Sequence, residues 1–126
     1  MAGQLTIDTL KASSGVLATQ NGMTGIAKAW VNFTGSSGTI NGSFNVSSVT
    51  RNSTGDYTVA YTTAMTSANY CPATALKPTT GGSSTNGKVV NIKYDASLST
   101  TSCRLWCYST GGVEDFDQVY LTIFGA

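Results

Sequence analysis

Histidine is absent from this 126-residue chain, and charge is scarce, at 10% of residues. Without histidine the commonest general base and metal ligand at neutral pH is missing. Ser–His and Cys–His nucleophile pairs are therefore excluded, and no lysine stands at a spacing that marks it as the base for a serine. An average soluble domain carries ~25% Asp, Glu, Lys and Arg. Here seven Lys and Arg balance six Asp and Glu, for a net charge of +1. That balance excludes the clustered basic face of a nucleic-acid binder. No apolar run approaches the ~20 residues of a bilayer-spanning helix, so membrane insertion is not expected. The start, Met1-Ala2-Gly3-Gln4-Leu5-Thr6-Ile7-Asp8, has neither the basic residues nor the apolar stretch of a secretory signal. Folding in a cytosol is expected. This argues against glycosylation at Asn32-Phe33-Thr34, Asn45-Val46-Ser47 and Asn52-Ser53-Thr54, which match the acceptor pattern in a chain rich in those residues.

Small and uncharged polar residues are abundant instead. Ser and Thr fill 35 positions, Asn 8 and Gly 14, so the solvated surface is built from hydroxyls and amides. An apolar content of 40%, with four Phe, six Tyr and two Trp, argues for a packed core over disorder. The length fits one domain. Alternation is the dominant pattern. Ala27, Ala29, Val31 and Phe33 share one face of a strand, with Trp30 on the other. Tyr57, Val59 and Tyr61 form a second such face, Val90, Ile92 and Tyr94 a third, and Val119, Leu121 and Ile123 a fourth. Turn signals separate these runs at Gly35-Ser36-Ser37-Gly38, Asn41-Gly42, Asn52–Asp56, Gly81-Gly82-Ser83-Ser84 and Gly111-Gly112. The expected fold is all-β, an antiparallel sandwich or jelly roll of about seven to nine strands. A helix is conceivable only near Val16–Asn21, between glycines. Residues 1–25 read as an arm ahead of a domain at 26–126, or alternatively as a first strand of the sandwich.

Four features could carry chemistry. Gly82-Ser83-Ser84-Thr85-Asn86-Gly87-Lys88 has the outline of a phosphate-cradling loop. Val89, however, stands where a hydroxyl would hold Mg²⁺, and a strand follows where a helix N-terminus is needed. Glu114, Asp115 and Asp117 hold half of the carboxylates. They are the nearest candidates for a Ca²⁺ site or a glycosidase pair, against a solvated loop before the last strand. No catalytic residue, metal or cofactor is assigned. Cys103 and Cys107 lie roughly 13 Å apart along a strand, beyond the ~7 Å reach of a disulfide. Buried thiols, or a bridge from Cys71 to one of them, are the readings left open. Finally, Trp30 lies opposite one aliphatic face, and Trp106 lies opposite Cys103, Leu105 and Cys107 with Tyr108 beside it. These rings call for a second core layer, a subunit interface or a stacked sugar.

An ordered series of blocks runs through the first half: Gly25-Ile26-Ala27-Lys28-Ala29-Trp30-Val31-Asn32-Phe33, Ser43-Phe44-Asn45-Val46-Ser47-Ser48-Val49-Thr50, Gly55-Asp56-Tyr57-Thr58-Val59, Thr62-Thr63-Ala64-Met65 and Asn69-Tyr70. With the lead-in Leu17–Met23, this series resembles a β-rich module of tailed-phage virion proteins, notably tail fibres of phages of marine and aquatic bacteria. The resemblance covers roughly residues 20–72 and is fainter beyond, apart from the terminal strand Val119–Phe124. It implies a non-enzymatic virion protein assembled in the host cytoplasm. It also implies a homotrimer that contacts a host-surface glycan as a tail fibre or tail-tip adhesin. Residues 1–25 would dock to other virion proteins. Capsid decoration, as a head fibre, is the other position such a module takes. The resemblance carries no set of functional residues.

Overall fold

The computed structural model describes residues 26–79 and 87–125, together with Gly3. The expected arm, the conceivable helix near Val16–Asn21 and most of the Gly82–Lys88 loop lie outside the described residues. Nine strands follow in order: β1 (Ala27–Phe33), β2 (Ile40–Phe44), β3 (Val46–Ser53), β4 (Asp56–Tyr61), β5 (Cys71–Lys77), β6 (Val89–Ile92), β7 (Ser102–Ser109), β8 (Gly112–Val113) and β9 (Gln118–Phe124). There is no helix among the described residues. The all-β antiparallel sandwich expected from the alternation is the observed fold.

One sheet has the order β2-β1-β9-β5, and the other β3-β4-β7-β6 with β8 paired to β7; every pairing is antiparallel. The period-two pattern explains why the sheets stack. Ala29, Val31 and Phe33 of β1 and Val119, Leu121 and Ile123 of β9 point inward from the first sheet. Tyr57, Val59 and Tyr61 of β4 and Cys103, Leu105 and Cys107 of β7 meet them from the second. Phe33 and Tyr57 touch edge to face across the two sheets, ring centres 5.0 Å apart. Among the described residues no buried side-chain nitrogen or oxygen lacks a hydrogen-bond partner.

A single residue carries the chain from the first sheet to the second. Asn45, between β2 and β3, adopts a left-handed φ of 55°, a conformation that Asn tolerates better than most residues. Its side chain fixes the crossing. Nδ2 donates to the carbonyls of Lys28 and Thr63, 3.1 Å each, and Oδ1 accepts from the Thr63 N–H at 2.7 Å. Within the matched acceptor triplet Asn45-Val46-Ser47, this amide is thus part of the framework.

Two local expectations differ from the structure. Asn41-Gly42, which has turn composition, lies inside β2 opposite Asn32 of β1. A Cβ at Gly42 would meet the Trp30 indole at 3.5 Å, an ordinary contact, so the ring lies across the glycine on the outer face. Tyr94 does not continue the inward face of Val90 and Ile92. β6 ends at Ile92, and the turn at 93–96, closed by the Ala96 N–H donating to the Lys93 carbonyl at 3.1 Å, swings Tyr94 outward to 86% exposure.

Candidate functional site

The inward alternation of β7 necessarily sends Arg104, Trp106 and Tyr108 to the outer face of the second sheet. The register of β6 on β7 then decides their neighbours: Asn91 lies opposite Trp106, and Val89 opposite Tyr108. The turn after β6 adds Tyr94. The product is a surface groove of about 230 Å³ lined by Asn91, Ile92, Tyr94, Trp106 and Tyr108. Tyr94 stands perpendicular to the Trp106 ring, at 89° with centres 6.4 Å apart. Asn91 Nδ2 donates to the Tyr108 hydroxyl at 3.1 Å, which orients both polar groups at one end.

A charged network borders the aromatic rings. Asp56, opposite Trp106 on the β4 side, is 3% exposed despite its outward position. Arg104 clamps it bidentately, Nε to Oδ1 at 2.8 Å and Nη2 to Oδ2 at 2.7 Å. Asn52 Nδ2 donates to Oδ1 at 3.1 Å, and Lys93 Nζ lies 3.2 Å from Oδ2. The Arg104 bonds, aided by Asn52 and Lys93 and opposed by burial, hold the Asp56 carboxyl down at about 2. Lys93 also pairs with Asp95 at 3.3 Å and sits over the Trp106 ring, 4.9 Å from its centre. Two cations therefore meet two carboxylates, and the groove has a neutral border.

Of the aromatic candidates, the structure brings Trp106 and Tyr108 together and leaves Trp30 apart. Trp30 lies on the outer face of the other sheet, 42% exposed, between Phe44 of β2 and Thr122 of β9. Tyr94 and Asn91 were not legible as groove residues. Charged and small residues flank Tyr94 in Lys93-Tyr94-Asp95-Ala96-Ser97, and that turn-like composition is the signal that the strand stops before it.

Two of the three acidic candidates, Glu114 and Asp115, are held by other groups of the protein. Phe116, 1% exposed, plugs the core between β8 and β9, and its acidic neighbours are directed by that anchor. Glu114 pairs with Lys88, which lowers its pKa. Lys88 also lies 5.3 Å from the Phe116 ring centre, and β6 starts at the next residue. That lysine thus braces the acidic loop. Asp115 accepts from Arg51 Nη2 at 2.6 Å and Nε at 3.1 Å, from the Gly55 N–H at 2.9 Å and from the Tyr57 hydroxyl. Burial works against its charge, but these donors outweigh it and keep the pKa below the ordinary value. An ionised carboxylate with four donors is a tether between the loop and the β3–β4 hairpin. Among the described residues no three His, Cys, Asp or Glu side chains gather as a metal site. The three thiols are free: Cys103 and Cys107 are buried and Cys71 is exposed on β5.

Fold and groove together define a small antiparallel β-sandwich with an aromatic recess on one outer face. Comparison with known proteins gives no match: no family model, curated protein or solved structure is recognisably similar to the chain.

Proposed function

We propose that this chain is a structural subunit of a tailed-phage particle, a non-enzymatic tail-fibre or tail-tip adhesin that meets a glycan on the host surface. The observation that carries the reading is the groove, where indole and phenol rings converge with an amide and a hydroxyl beside a border of mutually paired charges. Rings of this kind pack on the C–H faces of sugars, and amides and hydroxyls satisfy sugar hydroxyls. Three of the five ordered blocks that resemble fibre modules fall on β1, on the β2–β3 crossing and on β4, which pairs with the groove strand β7. Self-association, as a homotrimer, belongs to the same reading. The outer face of the first sheet carries exposed Trp30 and Phe124, and Ile26 is exposed beside it, which suits packing against copies of itself. Residues 1–25 would then dock the subunit to other virion proteins.

Cryo-electron microscopy of particles carrying a tagged copy tests this directly. Density at the tail tip or along a fibre, in threefold arrangement, is the expected result. Density on the capsid would transfer the subunit to the decoration role, and a protein absent from purified particles would end the virion reading altogether.

A further inference from the structure

We infer that the groove formed by Asn91, Ile92, Tyr94, Trp106 and Tyr108 is a single-ring subsite for an uncharged pyranose. This deepens the glycan-contact reading and rests on it for its biological setting. Three observations carry the assignment. The volume, about 230 Å³, is below the ~300–1,000 Å³ of clefts that enclose drug-sized ligands, so the groove takes one ring and leaves the rest of a chain outside. The lining divides into apolar and polar parts in the way a pyranose does. Trp106, which carries the Lys93 ammonium over its ring on one side, and Tyr94 stand at right angles and give a corner of two aromatic rings for a C–H face. Asn91 and Tyr108, already bonded to each other, present an amide and a hydroxyl that can be shared with ring hydroxyls.

The third observation sets the charge preference. The cations that border the groove are both committed: Arg104 to Asp56 through two bonds, and Lys93 to Asp56 and Asp95. An anionic sugar would compete with those carboxylates for the two cations, and a cation drawn toward it leaves the nearly buried Asp56 short of a partner. A neutral sugar leaves the network intact. Selectivity for uncharged over acidic sugars therefore follows from the border, while stacking comes from the rings. One stacked ring with two polar contacts supports a dissociation constant of about 1 mM. Useful adhesion at that strength requires several copies acting together, which is the arithmetic of a multimeric fibre.

The test is a titration of ¹⁵N-labelled full-length protein with methyl glycosides of glucose, galactose and mannose, with N-acetylglucosamine and, as the acidic arm, with N-acetylneuraminic acid. The expected result is saturable shifts of the Trp106 indole N–H and the Asn91 side-chain amide with at least one neutral sugar. Binding should weaken by about tenfold in Tyr94→Ala, a residue exposed enough that its removal leaves the fold intact. Trp106→Ala should abolish binding, and its amide spectrum reports whether the sandwich is preserved. No shift with any neutral sugar up to about 50 mM, well above the dissociation constant argued for one ring, overturns the assignment. So does tighter binding of N-acetylneuraminic acid than of every neutral sugar, or undiminished binding in Tyr94→Ala. The outcome is separable from the virion reading. A groove that binds sugar in a protein absent from particles keeps this inference and ends the other, and a particle protein with a silent groove does the reverse.

Discussion

At Gly55 the β3–β4 turn, strand β7 and the acidic loop meet within one residue. Its φ is +68°, its N–H donates to Asp115 Oδ1, and its carbonyl accepts from the Cys107 N–H at 2.7 Å. A Cβ there would collide with the Cys107 carbonyl oxygen, so the penalty combines a left-handed backbone with a clash against rigid strand. Gly55→Ala is expected to destabilise the fold by about 3 kcal/mol in urea unfolding. Gly111→Ala, where the backbone is ordinary and the nearest atom is a flexible Ser109 hydroxyl, should change stability by less than about 0.5 kcal/mol. Equal losses at the two sites would refute the steric account. The thiols divide as sharply. Burial pushes Cys103 up to about 11 and Cys107 to about 12, the latter helped by the nearby Asp115 charge. Neither forms appreciable thiolate near neutrality, and neither is open to solvent. Iodoacetamide at about pH 8 should therefore add one group to the native protein, at Cys71, and three after denaturation. Rapid addition of two or more to the native protein would contradict this burial.

Among the elements, legibility followed the side chains. β1, β4, β7 and β9 were plain in the sequence because each alternates aliphatic or aromatic residues with polar ones, and their inward faces are those of the core. β5 was missed because Cys71-Pro72-Ala73-Thr74-Ala75-Leu76-Lys77 has small residues and a proline where strands favour bulk. It exists because β9 supplies a full-length partner, and Pro72 is tolerated because β5 is an edge strand. The groove was half legible for a related reason. Trp106 and Tyr108 follow from alternation within one strand, whereas Asn91 comes from the β6–β7 register and Tyr94 from a turn, both set by tertiary pairing. The loop between β8 and β9 is the clearest case of composition misleading. Its acids look like a solvated or metal-binding patch, yet Asp115 ties it to Arg51, Gly55 and Tyr57 on the far hairpin. Asp115→Ala removes four acceptor contacts and leaves the Tyr57 hydroxyl without its carboxylate acceptor. A loss of about 2–3 kcal/mol is expected, discounted from a fully buried pair because Arg51 is partly exposed. Asp115→Asn keeps an oxygen acceptor and should cost less. A loss below about 0.5 kcal/mol for the alanine variant, in the same urea experiment, would show that the loop holds without the Asp115 tether.

For the molecule as a whole, the absence of histidine becomes a statement about pH. Nothing with an unperturbed pKa between about 5 and 8 is present in a side chain, so stability should be nearly level across that range. The carboxylates set the acid limb. Asp56 titrates at about 2 in the fold against 3.8 as its ordinary value, and Glu114 and Asp115 are lowered as well. An unfolded chain therefore binds more protons than the folded one between about pH 4 and pH 2, and stability must fall as pH drops through that window. The Asp56 share is about 2 kcal/mol, fully present above the unfolded pKa and gone below the folded one. Because Asp56 is buried under Arg104, Asn52 and Lys93, moderate salt should leave most of that share in place. Asp56→Asn separates this group from the others. Its melting midpoint should lie below the native one on the level part of the curve, since Arg104 and Lys93 lose their shared anion. The two curves should then converge as pH approaches about 2, where the native carboxyl is itself becoming protonated. Thermal melts by circular dichroism across about pH 2–8 read both limbs. A midpoint that moves as much between pH 6 and 7 as between pH 2 and 4, or a constant gap between the variant and the native protein down to about pH 2, would contradict the assignment of acid sensitivity to the Asp56 network.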